Sequence, residues 1–185
     1  MKFKLLLVFV LLFAFSAIPA MADEGGAKDT IDMIITVQPN ASTSSYDVQL
    51  ELWVFDDADT LNGASMGFGW DNPQLQMTSA SAGPGVSGFA FTIFFDNNDV
   101  NVANANQEFS FVGIRMGTPG VWPNPTRQLW ATYNATVTTD WTNSDVVHID
   151  TFAYSPGVNY KFVSSTGDDY FPHWVGAIDV TDANP

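Results

Sequence analysis

The chain has 185 residues, with 20 acidic against 6 basic side chains, a net charge of −14 and no cysteine. That charge repels nucleic-acid phosphates and anionic lipid headgroups, which makes both poor partners, and it favours cations, basic partners and neutral glycans. The absence of cysteine excludes thiol catalysis, thiolate zinc sites and disulfide scaffolds.

The first 22 residues read as a targeting segment. Lys2 and Lys4 form a basic start, Leu5 to Ala17 is an apolar run too short to span a bilayer comfortably, and Ala20-Met21-Ala22 supplies an A-x-A cleavage site. The expectation is a cleaved signal peptide over 1–22 and a mature chain starting at Asp23, secreted or displayed at the cell surface, with no membrane insertion afterwards. No lipobox cysteine is present, so lipid anchoring at that site is excluded. Cleavage leaves Lys28, Arg115, Arg127 and Lys161 against twenty acids, a charge of −16, in 163 residues, about one domain. Residues 23–30 form a polar, glycine-containing lead-in, and 31–185 form the domain. Seventeen of the acids are Asp, a turn former, which argues for many loops and little helix.

Ile31–Val37 is the first predicted strand. Tyr46–Phe55 is the clearest one, with Tyr46, Val48, Leu50, Leu52 and Val54 on one face and Trp53 and Phe55 on the polar other. After an acidic loop, Met66, Phe68 and Trp70 alternate with Ser65, Gly67 and Gly69. Asp71-Asn72-Pro73 stops that strand, Leu75, Met77 and Ser79 resume the alternation, and Gly83-Pro84-Gly85 closes the unit. Gly88–Phe95 follows as a strand with Phe89, Phe91, Ile93 and Phe95 in register. Asp96–Asn106 is a polar run. In Glu108–Met116 the apolar positions switch from Phe109 and Phe111 to Val112, Ile114 and Met116, which predicts a bulge near Gly113. Gly117–Thr126, with three prolines and two glycines, is irregular. Gln128–Thr138 places Leu129, Ala131, Tyr133, Ala135 and Val137 on one face and Trp130 on the polar other, and Val146–Phe152, Tyr160–Ser164 and Val175–Val180 complete the strands. About nine short strands without a helical period after the leader predict an all-β chain, a single β-sandwich with Met66, Phe68, Leu75, Leu50 and Leu52 in its core.

The stretch GASMGFGWDNPQLQMTSASAG, a glycine-rich strand ending in an aromatic, then D-N-P-x-L and a small-residue strand, resembles the cohesin-type sandwich. Leu129–Val137 with Val146–Ile149 resembles the late core strands of such modules, and FVSSTGDDYFPHWVGAIDV resembles their final hairpin. The likeness runs over about residues 31 to 180 and implies a jelly-roll, cohesin-like sandwich in a fold family that includes carbohydrate-binding modules. It further implies a non-catalytic module that recognises an extracellular protein or polysaccharide. A dockerin's paired Asp-rich calcium loops do not follow Val180.

The motif search agrees that the chain is not an enzyme: there is no G-x-S-x-G, H-E-x-x-H, P-loop or dinucleotide fingerprint. His148 and His173 are the only histidines, and their spacing supports no metal site. No cofactor is implied except calcium. Asp56, Asp57, Asp59 and Asn62 crowd one loop, and Asp96, Asn98 and Asp99, with Asn97 and Asn101, crowd another, grouped oxygen ligands of the kind a hard cation takes. Asp168-Asp169 with Asp179 and Asp182 is a looser third group. Turn chemistry and solubility are the alternative account of all three. Trp53, Trp122 and Trp130 form the candidate ligand-binding set, because a flat exposed indole stacks on sugar rings or anchors a protein interface; burial under a covering layer is the competing account. A second function class stays open, a structural subunit of an extracellular filament or surface layer that self-assembles by β-strand addition.

Overall fold

The computed structural model describes residues 29–40, 45–56, 61–116, 124–137, 146–151, 161–164 and 169–181. The expected leader over 1–22 and its expected cleavage site lie outside them. In chain order the strands are β1 (Thr30–Asn40), β2 (Ser45–Asp56), β3 (Leu61–Trp70), β4 (Leu75–Ala82), β5 (Phe91–Ile93) and β6 (Glu108–Ile114), with a helix α1 (Val100–Asn106) between β5 and β6. Then come β7 (Asn124–Val137), β8 (Val147–Thr151), β9 (Lys161–Ser164), β10 (Asp169–Tyr170), β11 (His173–Trp174) and β12 (Ile178–Val180). Among the described residues no helix is long and apolar enough to cross a membrane.

Two sheets face each other. The first has the order β11-β1-β2-β7-β4; in the second, β3 is central, flanked by β6 and β5 on one side and by β9 and β8 on the other, with β10 and β12 outermost. The Asp71–Gln74 turn carries the chain from β3 in one sheet to β4 in the other. Asn72 shapes it locally, its side-chain oxygen accepting from the Gln74 N–H at 3.0 Å and its carbonyl from the Leu75 N–H at 3.2 Å. The strand alternation read in the sequence maps directly onto the interior: Leu50, Leu52, Met66, Phe68 and Leu75 are all 0% exposed. Aromatic rings bridge the layers, with Phe109 4.6 Å from Tyr133 and 5.1 Å from Phe68 between centroids. The Tyr133 hydroxyl, buried among them, donates to the Ser110 carbonyl at 2.7 Å, so its polar tip is satisfied, and burial holds its pKa well above the usual tyrosine value.

Five local expectations need correction. Trp130 is 0% exposed rather than on the polar face. Leu52 pairs with Ala131 and Trp53 with Leu129, so Trp130 is the extra residue of a β-bulge and turns inward beside Ala131. The Gly83-Pro84-Gly85 turn packs on that bulge: the Gly83 N–H donates to the Trp130 carbonyl at 2.9 Å, and a Cβ on Gly83 would lie 2.3 Å from the Leu129 carbonyl oxygen. Conversely, β6 has no bulge, pairing with β3 without a break from Gly69↔Glu108 to Gly63↔Ile114. Its inward row is Phe109, Phe111 and Gly113, and the space that Gly113 leaves is filled by the Phe89 ring. Third, the polar run after β5 holds helix α1, started by Asp99, whose carboxylate accepts from the Asn101 N–H at 2.9 Å. Fourth, the strand expected over Gly88–Phe95 pairs only at Phe91–Ile93, and β7 begins within the proline-rich segment, at Asn124. Last, the carboxyl end is not one hairpin. β10 pairs with β9, β11 crosses to run parallel to β1, and β12 returns to β8.

Candidate functional site

The three tryptophans do not form one surface. Trp130 packs in the core against Phe111, Phe89 and Phe162 with centroids 5.3, 5.4 and 5.7 Å away, which rules out stacking on a ligand. Trp53 is half-buried on the outer face of the first sheet. Its indole N–H donates to Glu51 at 3.0 Å, and the Arg127 guanidinium, itself paired with Asp32, sits 5.3 Å from its ring centre. Trp122 lies outside the described residues.

The oxygen-rich loops are similarly divided. Asp57 and Asp59 lie outside the described residues, Asp56 is 2% exposed at the end of β2, and Asn62 belongs to β3, where its carbonyl accepts from the Arg115 N–H at 2.8 Å. Asp96 and Asn98 form a short 3-10 turn before α1, and Asp99 is the helix cap. Asp168 and Asp182 lie outside the described residues. Among the described residues no three His, Asp or Glu side chains gather as a metal set.

What the structure does assemble is the outer face of the second sheet. Paired residues share a face, so the register Phe91↔Ile114↔Gly63↔Val163 and Ile93↔Val112↔Ser65↔Lys161 lays two rows across β5, β6, β3 and β9. Phe91 is 47% exposed and Ile114 46%, and Ile93, Val112 and Val163 are half-buried beside them. Between Ile114 and Val163 the central strand has only Gly63, so the rows form a shallow apolar furrow rather than a ridge. An exposed apolar patch on a rigid sheet is what a protein interface uses.

The same face turns acidic toward its other end. Glu108, Gly69 and Asp150 form a row across β6, β3 and β8 beside an open hollow of about 480 Å³ that Asp71 and His148 also line. Asp150 is oriented by the Trp174 indole N–H at 2.9 Å. Burial first, and then Asp96, raises the Glu108 pKa. His148 Nδ1 lies 2.5 Å from Asp179 on the paired strand β12, and its Nε2 lies 4.0 Å from Asp71. The hydrogen bond to Asp179 raises the His148 pKa, desolvation opposes it, and the charges of Asp179 and Asp71 add to the rise. Among the described residues the side-chain partners of His148 are the carboxylates of Asp179 and Asp71.

Sequence reasoning missed this face because it read the switch from Phe109 and Phe111 to Val112 and Ile114 as a bulge in a strand with one buried face. The signal was present: Phe109 and Phe111 followed by Val112 and Ile114 mark a strand apolar on both faces.

No protein-family model and no curated protein sequence matches the chain. Solved structures do. A type III cohesin module from the cell-surface anchoring scaffoldin ScaE of Ruminococcus flavefaciens is similar at 13% identity, covering 89% of this chain and 91% of its own, with a TM-score of 0.64. The sixth cohesin of scaffoldin B from Acetivibrio cellulolyticus, solved in complex with a dockerin, has 13% identity, coverage of 82% and 97%, and a TM-score of 0.59. A type I cohesin, OlpA, from Clostridium thermocellum, also solved with a dockerin, has 14% identity, coverage of 82% and 98%, and a TM-score of 0.56. The fold of this chain is the cohesin β-sandwich.

Proposed function

We propose that the chain is a non-catalytic extracellular recognition module that docks a protein partner on the outer face of its second sheet. The observation that carries this reading is the exposed apolar pair of Phe91 on β5 and Ile114 on β6, the latter strand being also apolar toward the core. The acidic end of the face defines the partner's chemistry: apolar side chains flanked by Lys or Arg, which the Asp71, Glu108 and Asp150 carboxylates would steer and orient. Dockerins, the partners in two of the similar structures, are the first class to test.

The test is titration calorimetry of the purified chain against a panel of dockerin modules. The expected result is binding by at least one, weakened about tenfold or more by Phe91→Ala and by Ile114→Asp, as for anchors worth roughly 1–3 kcal/mol. Binding that neither substitution changes, or no binding to any module, counts against the reading. Assembly by strand addition is the second reading: among the described residues β11 pairs with β1 only at Thr30 and Ile31, so the rest of β1 borders the first sheet, whereas β4 is closed at Met77, whose N–H and C=O are taken by the Asn104 side chain at 2.7 and 2.9 Å. A calcium ion in the Asp56–Asn62 or Asp96–Asn101 loop is a proposal that rests on grouped oxygen ligands alone. A melting temperature raised by calcium and lowered by chelator supports it, and no shift with either removes it.

A further inference from the structure

The outer face of the first sheet carries a surface of opposite chemistry. Register sets Thr36, Gln49, Asn134 and Ser79 directly opposite one another on β1, β2, β7 and β4. Two residues along, Gln38, Asp47, Thr136 and Gln76 make the next row. Between the rows lies a hollow of about 320 Å³. Its two aliphatic lining residues, Val48 and Ala135, are 2% and 3% exposed because their side chains turn into the core, so hydroxyls, amides and one carboxylate form its wall.

We propose that this hollow binds an uncharged polyhydroxyl chain, a segment of neutral polysaccharide. Several alternatives fail on the same observations. A protein partner that docks on a sheet face needs an apolar anchor, and the hollow offers none, its two aliphatic lining residues being turned into the core. An anionic ligand meets Asp47 in the wall and a chain of net charge −14. A divalent cation finds one carboxylate, and the Asn40 side-chain amide already donates to both its oxygens at 3.1 and 3.0 Å. Sugar hydroxyls both donate and accept, and so do amides and threonine hydroxyls. The side chains of Thr36, Gln38 and Thr136 form no hydrogen bond among the described residues, and Gln49 only grazes Asn134 at 3.5 Å, so their capacity is open to a ligand. Four paired strands hold these groups in place, so little ordering is needed on binding. The site lies on the opposite sheet from the protein-docking face, so one chain can hold a glycan and a protein partner together.

The experiment is calorimetric or NMR titration of the full chain with uncharged hexasaccharides of glucose, xylose and mannose, and with hexagalacturonate as the anionic control. The expected result is saturable binding of at least one neutral hexasaccharide and none of the control. The double variant Gln49→Ala/Asn134→Ala should weaken that binding at least tenfold, with the melting temperature as the check on folding. Ile114→Asp, on the other sheet, should leave it unchanged, which separates this inference from the protein-docking reading. Binding of none of the three neutral ligands, equal binding by the double variant, or loss through Ile114→Asp would overturn it.

Discussion

His148 lies between two carboxylates from separate segments, Asp179 on β12 and Asp71 in the turn after β3, and its pKa is raised by that pairing. A raised histidine pKa means that protonation favours the folded chain. The contribution is fully present below the unfolded value near 6.5 and is lost as pH rises through the folded value. We expect melting curves of the parent and of His148→Gln to differ at acidic pH and to converge at alkaline pH; a difference independent of pH would refute the pairing. Asp99 makes a second case. It resembles a metal ligand in a run of Asp and Asn, yet in the folded chain its oxygen caps α1. Asp99→Ala should cost about 1 kcal/mol in a denaturant titration. Composition alone does not separate these roles, because the oxygen that a cation would take is the oxygen that a helix N-terminus takes.

At the scale of elements, regular alternation was legible and its interruptions were not. Leu50 and Leu52 were assigned inward from the pattern of β2, and Leu50→Ala should cost roughly 2–5 kcal/mol, measured by denaturant unfolding. Trp130 fooled the same reasoning because one inserted residue reverses the faces of a strand, and nothing within Gln128–Thr138 marks the insertion. The mark lies elsewhere, in the Gly83-Pro84-Gly85 turn whose missing side chains admit the Leu129–Trp130 backbone. Trp130→Ala should therefore behave as a core truncation of about 3–5 kcal/mol and leave ligand binding to the folded fraction intact. Helix α1 escaped notice for a different reason: VNVANAN is seven residues long, with too few apolar positions to show a 3.6 period.

For the whole molecule, the two sheets present chemically different outer faces on a shared aromatic core. One is polar and hollowed, with Trp53 held at its far end by Glu51 and Arg127; the other is apolar at one end and acidic at the other. The sandwich class and its core were legible in the sequence, since alternation and turn residues are local signals. The docking face was not, because an exposed Phe91 and a buried Phe111 look alike until the sheets are placed. The central claim, protein recognition on the second sheet, is tested most directly by methyl NMR of an isoleucine- and valine-labelled chain titrated with a dockerin that binds it. The account predicts shifts or broadening at Ile93, Val112, Ile114 and Val163, with Ile34, exposed on the first sheet, and the buried Ile31 and Val37 unmoved. Perturbation centred on Ile34, with the second-sheet methyls silent, would contradict it.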